Sequence, residues 1–267
     1  VPSTVRLSYW IEIEGKPGRF PEMWPHLNSL EKPVRIDGVE AIVNTPDLFS
    51  SAYYAYHLDR TLILMRHRGK KVLLSLSRQR GPSEVGKKGV ILGRDGDWNY
   101  LYTGRNGLSR TGLGWVDSHI YDSYSITAYV ETAGGSPGLR CGIFKWLCAG
   151  WAGINMVRHH HIVSGLQRFF NDFKMIVEAP QLSDTGRLTG IFDRIGSFSQ
   201  PMLRQKARDY FLPLKERYGD DGGLAGRWFE EAFGGNSQLA RLSRRELEAI
   251  LCIEALKHLL GDRKSVV

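Results

Sequence analysis

The sequence predicts an α+β fold in which a curved antiparallel sheet grips a long helix, with an additional helical C-terminal region. Three observations lead to this fold class. Alternating apolar and polar residues between glycine-containing turns fill most of residues 49–157, which is typical of successive antiparallel strands. Apolar residues then recur at helical spacing along residues 162–177. Helical patterns continue from there towards the end of the chain.

The predicted strands are separated by short turns. Asp95-Gly96 and Asn106-Gly107 are turn dipeptides of the kind that connect antiparallel strands. The predicted strands are, in chain order, residues 5–14, 34–43, 60–66, 71–78, 90–92, 98–103 and 125–131, followed by the apolar run 139–157.

The predicted helices begin where the apolar run ends. They are, in chain order, residues 158–177, 201–218, 222–233 and a last helix after Ser243, with a loop-rich connector at 182–199. Ser243 and Glu246 have the spacing of a capping box, which fixes the start of that last helix. We therefore expect a sheet-plus-helix domain over residues 1–180 and a helical region over residues 181–267 packed on it.

The charge and the cysteine content limit the class of protein. The net charge of +8 favours contact with anionic partners such as lipid headgroups. Three cysteines are too few for a disulfide framework. No apolar run reaches the ~20 residues of a membrane span, because Lys145 interrupts the best candidate. Because the chain begins at Val1, we expect an exported, periplasmic bacterial protein without its leader, with a cytoplasmic location as the alternative.

One segment resembles a phosphate-binding loop. Residues 81–88 (GPSEVGKK) match that pattern except at the last position, where Lys88 replaces the Ser or Thr that would hold magnesium. Such a loop should also open a helix, whereas residues 89–93 are typical of a strand. The segment is therefore interpreted as a basic hairpin loop, and no cofactor is expected.

Histidines and cysteines offer a second class of function. The run from His159 to His161 could supply metal ligands, but adjacent helical residues point about 100° apart, so no more than two of them could converge on one ion. No Glu or Asp lies one turn away to complete a set. No metal site is therefore predicted. Cys141 or Cys148 with a nearby histidine remains an alternative, a hydrolase or transferase that uses a Cys/His or metal centre in the same cleft.

Aromatic residues are the main candidates for a binding site. Within a strand, alternate residues share one face, so rings at that spacing form either a core or the wall of a pocket. If the long helix stands off from the sheet, this pocket would hold a hydrophobic ligand. The predicted ligand-binding residues are Tyr100, Tyr102, Trp115, Tyr124, Tyr129, Phe144, Trp146, Leu166, Phe169, Phe170 and Phe173.

The same region resembles a known family. The region reads, in chain order, SITAYVE, a turn, LRCGIFKWL, AGWAGINMV and then VRHHHIVSGLQRFFNDFKMIV. This order is similar to the closing strands and C-terminal helix of START-like, helix-grip lipid-binding domains. This resemblance covers residues 50–180. The central stretch also resembles periplasmic lipoprotein-carrier folds, in which a curved half-barrel lies over helices. Both resemblances imply a cavity for an acyl chain, and neither transfers a catalytic residue.

We therefore expect non-enzymatic binding or carriage of a lipid or other hydrophobic molecule. Arg78, Arg80, Lys87 and Lys88 are the predicted headgroup-binding residues. Transient contact with a membrane surface is expected, and a nucleic-acid partner is not. A third hypothesis, a scaffold whose last helix binds a partner protein, requires an exposed apolar stripe along residues 244–260.

Overall fold

The α+β class is confirmed by the structure, which is a computed structural model. It describes residues 4–13, 16–19, 32–110, 114–132, 138–180, 185–219, 224–233 and 238–261. The described residues form a large, open antiparallel sheet, two smaller sheets and a group of C-terminal helices.

Thirteen strands and five α-helices are present in the described residues. The strands are β1 (Thr4–Ile13), β2 (Lys16–Arg19), β3 (Val34–Val43), β4 (Ala52–Tyr53), β5 (Ala55–His67), β6 (Lys70–Gln79), β7 (Lys87–Ile91), β8 (Tyr100–Asn106), β9 (Leu108–Arg110), β10 (Gly114–Val116), β11 (Ser118–Glu131), β12 (Leu139–Trp151) and β13 (Ile154–Asn155). The helices are α1 (His159–Val177), α2 (Thr185–Ser197), α3 (Gln200–Tyr218), α4 (Leu224–Phe233) and α5 (Arg244–Leu259).

The large sheet has the strand order β13-β12-β11-β6-β5-β3-β1-β2. A tight hairpin joins β5 to β6, and its turn residues Arg68 and Gly69 have φ of 50° and 77°. Two residues with positive φ give the backbone twist that a two-residue hairpin turn requires. The second sheet, with the order β4-β7-β8, is separate from the large one.

The two faces of the large sheet have different surroundings. The ring of Tyr129 on β11 lies 5.8 Å from that of Phe173 on α1, so the face that carries Tyr129 is called the inner face. Residues of opposite parity form the outer face. There Phe144 and Trp146 of β12 are 63% and 55% exposed.

The main core lies between the β4-β7-β8 sheet and the C-terminal helices. On β8, Tyr100, Leu101 and Tyr102 are all almost completely buried, so this strand is covered on both sides. Phe211 of α3 and Trp228 of α4 meet there, with ring centroids 4.8 Å apart. Strands from the first part of the chain and helices from the second therefore share one core.

Helix α5 begins where the capping box predicts. Ser243 accepts a hydrogen bond from the backbone of Glu246, and Glu246 accepts one from the backbone of Ser243. Its apolar residues, including Leu247 and Ile250, are buried in the core. This burial excludes the exposed apolar stripe that the scaffold hypothesis requires.

The predicted connector at residues 182–199 was wrong, since most of it is helix α2. Leu188, Ile191 and Ile195 recur at helical spacing and pack on the core. The glycines in this segment suggested a loop, but burial of the apolar face outweighs their low helix propensity. No helix in the described ranges is both long and apolar enough to cross a membrane.

Candidate functional site

Helix α1 covers the inner face without closing a core. Asp172 is its one fully buried residue, whereas most of α5 is buried. Leu166 and the aromatic side chains of α1 remain half-buried. Phe173 stacks on Phe169 with ring centroids 5.8 Å apart, and Phe170 meets Phe169 edge-on at 5.9 Å. The rings therefore contact one another and Tyr129. The region between α1 and the inner face is called the groove, with α1 as its roof.

Small polar residues form the floor of this groove. The two central strands, β6 and β11, present residues that share short or polar side chains: Ser75, Ser77, Gln79, Ser123, Ser125 and Thr127. The hydroxyl oxygens of Ser77 and Ser125 lie 2.6 Å apart. Such short side chains do not fill the space that leucine or phenylalanine would fill beneath a helix.

One row of the floor carries two cations. Lys145, Ser125, Ser77 and Arg60 lie opposite one another on four neighbouring strands. Arg60 is neutralised by Glu40, to which its Nε and Nη2 donate hydrogen bonds of 2.6 Å each. Its Nη1 also donates to the hydroxyl of Ser75 at 2.9 Å.

Lys145 differs from Arg60 in having no anionic partner. Among the residues that the structure describes, no carboxylate forms an ion pair with its ammonium group. Burial lowers the pKa of Lys145, and the positive charge of Arg60 lowers it further. Among the described residues, the charge of Lys145 is therefore not compensated by an anion.

Tyr129 and Cys141 mark one end of the groove, facing each other across β11 and β12. Burial raises the pKa of both the Tyr129 hydroxyl and the Cys141 thiol. A raised pKa keeps the thiol protonated, which is unfavourable for a nucleophile. This end of the groove is therefore suited to apolar contact.

An ion pair attaches α1 to the second sheet. Nη2 of Arg168 donates to Asp95 Oδ1 at 2.6 Å and to the Tyr100 hydroxyl at 3.0 Å. Asp95 lies in the short 3₁₀ helix between β7 and β8. These contacts hold α1 from the side of the main core, so its position does not depend on tight packing against the floor.

The predicted ligand-binding residues are divided among several places. The groove contains Tyr129, Leu166, Phe169, Phe170 and Phe173. The outer face contains Tyr124, Phe144 and Trp146, while Tyr100 and Tyr102 are in the main core and Trp115 is exposed on β10. The structure therefore does not bring these residues together in one site.

The predicted headgroup residues also lie away from the groove. Arg78 lies over the ring of Tyr124 on the outer face, and Arg80 pairs there with Asp59. Lys87 forms an ion pair with Glu246, at 3.3 Å. Its neighbour Lys88 is on the same short strand, β7.

A separate pocket of about 270 Å³ lies at the start of α5, beside Lys87. Glu246 lines it and accepts hydrogen bonds from the Tyr53 hydroxyl at 2.5 Å and from the Ser243 backbone at 2.7 Å. Lys87 and Glu246 therefore compensate each other, and Arg244 pairs with Glu248 within α5. We interpret this pocket as a polar joint between the second sheet and α5.

The described residues contain no group of three or more His, Cys, Asp or Glu side chains that could hold a metal ion. His161 accepts a hydrogen bond from the backbone of Arg158 at 3.2 Å and lies against the rings of His160 and Phe49. These contacts account for the histidine run as the start of a helix.

Sequence reasoning missed Arg60 and Lys145 as site residues. Lys145 was visible as the charge that interrupts a long apolar run. A lysine between Phe144 and Trp146 is a signal that the strand carries a polar site on one face. Its neighbours in the row, Ser125, Ser77 and Arg60, lie on other strands. The row could therefore not be recognised before the strand order was known.

No family model matches the chain. No curated protein and no solved structure is significantly similar to it.

Proposed function

We propose that the protein binds or carries a lipid or another hydrophobic molecule, non-covalently, in the groove between α1 and the inner face of the large sheet. The observation that supports this most is the half-buried aromatic side of α1 above a floor of serine and threonine. An elongated ligand would cover the rings of Phe169, Phe170 and Phe173 and exclude water from them.

The energy available from this contact is moderate. Covering about 200 Å² of apolar surface at about 25 cal/mol per Å² contributes about 5 kcal/mol. Micromolar binding requires about 8 kcal/mol, so an acyl chain alone falls short. Buried hydroxyl groups on the floor also need hydrogen-bonding partners. Both arguments favour an amphipathic ligand with a polar group over the floor.

Carriage of a lipid requires transient contact with a membrane, and the outer face has suitable chemistry. Phe144 and Trp146 are exposed there beside the exposed side chains of Arg78 and Arg140. Aromatic rings insert at the headgroup level, and arginines attract anionic lipids. Trp146→Ala should reduce co-sedimentation with vesicles that contain phosphatidylglycerol, whereas Leu212→Ala on the exposed side of α3 should not. Equal sedimentation of wild type and Trp146→Ala would contradict this contact.

The ligand itself is tested by native mass spectrometry before and after organic extraction, followed by titration with a fluorescent fatty acid. Phe173→Ala should weaken binding of that probe at least tenfold, because it removes a ring of the roof. Phe144→Ala is the matched control, since its ring lies on the other face of the sheet. Absence of co-purified lipid together with absence of probe binding by the wild type would refute the proposed function.

A further inference from the structure

The groove has an unequal distribution of charge. Arg60 and Glu40 neutralise each other through two hydrogen bonds. Among the described residues, the ammonium group of half-buried Lys145 has no ion-pair partner, so this part of the floor carries one positive charge. A charge that is partly removed from water is stabilised by a paired anion.

Two serine residues on neighbouring strands lie in the same row of the sheet as Lys145. Ser125 lies directly opposite Lys145 in the strand register, and its hydroxyl contacts that of Ser77. A serine hydroxyl can rotate to donate a hydrogen bond to an anion that enters beside it. Thr127 adds a further hydroxyl on the same face of β11, where it is buried.

We propose that Lys145 and the hydroxyls of Ser125 and Ser77 form a subsite for the carboxylate of a long-chain fatty acid, whose chain lies against the aromatic side of α1. This assignment rests on the proposed function and names the class of its ligand. A single carboxylate matches the single uncompensated charge. A phosphate dianion would carry one negative charge more than Lys145 can compensate, which is unfavourable in a partly buried site.

The proposal is tested by isothermal titration calorimetry with lauric acid and 1-dodecanol, which share a chain and differ in the head group. Wild type should bind laurate at least tenfold more tightly than dodecanol. Lys145→Met should remove this preference by weakening laurate binding alone, and Lys145→Arg should keep most of it, since the charge remains. Lys174→Met on the exposed side of α1 should bind both ligands as wild type does.

Each outcome separates this proposal from the more general one. Equal affinity of wild type for laurate and dodecanol would overturn the carboxylate subsite and leave hydrophobic binding intact. Binding of neither ligand would refute the proposed function itself. Tighter binding of dodecyl phosphate than of laurate would overturn the assignment to a monoanion. Circular dichroism of each variant, together with the retained preference of Lys145→Arg, excludes misfolding as the cause of a loss.

Discussion

Replacement of Glu40 by Gln tests whether the inner face is a low-dielectric interior. Glu40 is 2% exposed and holds Arg60 through two hydrogen bonds of 2.6 Å. Gln keeps the volume of the side chain and removes its charge. The guanidinium of Arg60 then stays beside Lys145 without its carboxylate.

The expected cost can be estimated from the burial of the two partners. Removal of one partner from a fully buried ion pair costs about 3–5 kcal/mol. Arg60 retains 18% exposure of its side chain, so water compensates in part and we expect about 2–3 kcal/mol. With an m-value of about 2–3 kcal/mol per molar, the urea midpoint falls by roughly 1 M.

Asp37→Asn provides a control on the same strand. Asp37 pairs with Arg35 on the outer face, where the side chains are 56% and 69% exposed, so its loss should cost less than about 1 kcal/mol. Equal urea midpoints for Glu40→Gln and Asp37→Asn would refute the description of the inner face as a shielded interior.

A second measurement concerns function: laurate should raise the melting temperature of Glu40→Gln more than that of wild type, because two cations then face the groove.

Three further predictions concern other parts of the molecule. Phe211→Ala should lower the free energy of unfolding by about 3–5 kcal/mol, because its ring is completely buried, whereas Leu212→Ala, 42% exposed, should cost much less in the same urea titration. The pKa of Lys145 is lowered in the folded protein and has its ordinary value of 10.5 in the unfolded chain. Between these two values the unfolded chain binds more protons than the folded protein, so stability increases with pH. The stability of wild type should therefore rise relative to Lys145→Met over this range, and parallel urea midpoints would contradict the shift. Arg168→Ala should accelerate hydrogen exchange along α1 and leave α5 protected, because it removes the bonds to Asp95 and Tyr100; unchanged exchange in α1 would contradict the role of this ion pair.

Local patterns predicted much of the fold. Alternation along each strand indicated β3 with its correct bounds, and the capping box indicated the start of α5. Alternation along β11 also implies that Tyr124 and Tyr129, five positions apart, face opposite sides. The sequence could not show which side α1 covers, because that depends on how the chain turns after β13.

The binding site was harder to predict than the fold, because its polar row crosses four strands that are far apart in sequence. Arg60 and Lys145 lie opposite Ser77 and Ser125 only after β6 has paired with both β5 and β11. Tyr100 and Tyr102 were expected in the pocket because aromatic spacing alone does not distinguish a core from a cavity. Their faces are occupied by helices that follow more than a hundred residues later.

The position of the main core explains how the groove can remain polar. The completely buried rings, such as Tyr53, Phe211 and Phe229, lie between the second sheet and the C-terminal helices. Their burial stabilises the fold independently of the space beneath α1. The inner face can therefore carry Lys145 without an anionic partner among the described residues, at a cost that the core offsets. A charge retained at such a cost is expected where a ligand compensates it. We therefore expect Lys145→Met to be more stable than wild type without ligand. It should lose this advantage when laurate is present, because laurate stabilises the wild type by binding to it.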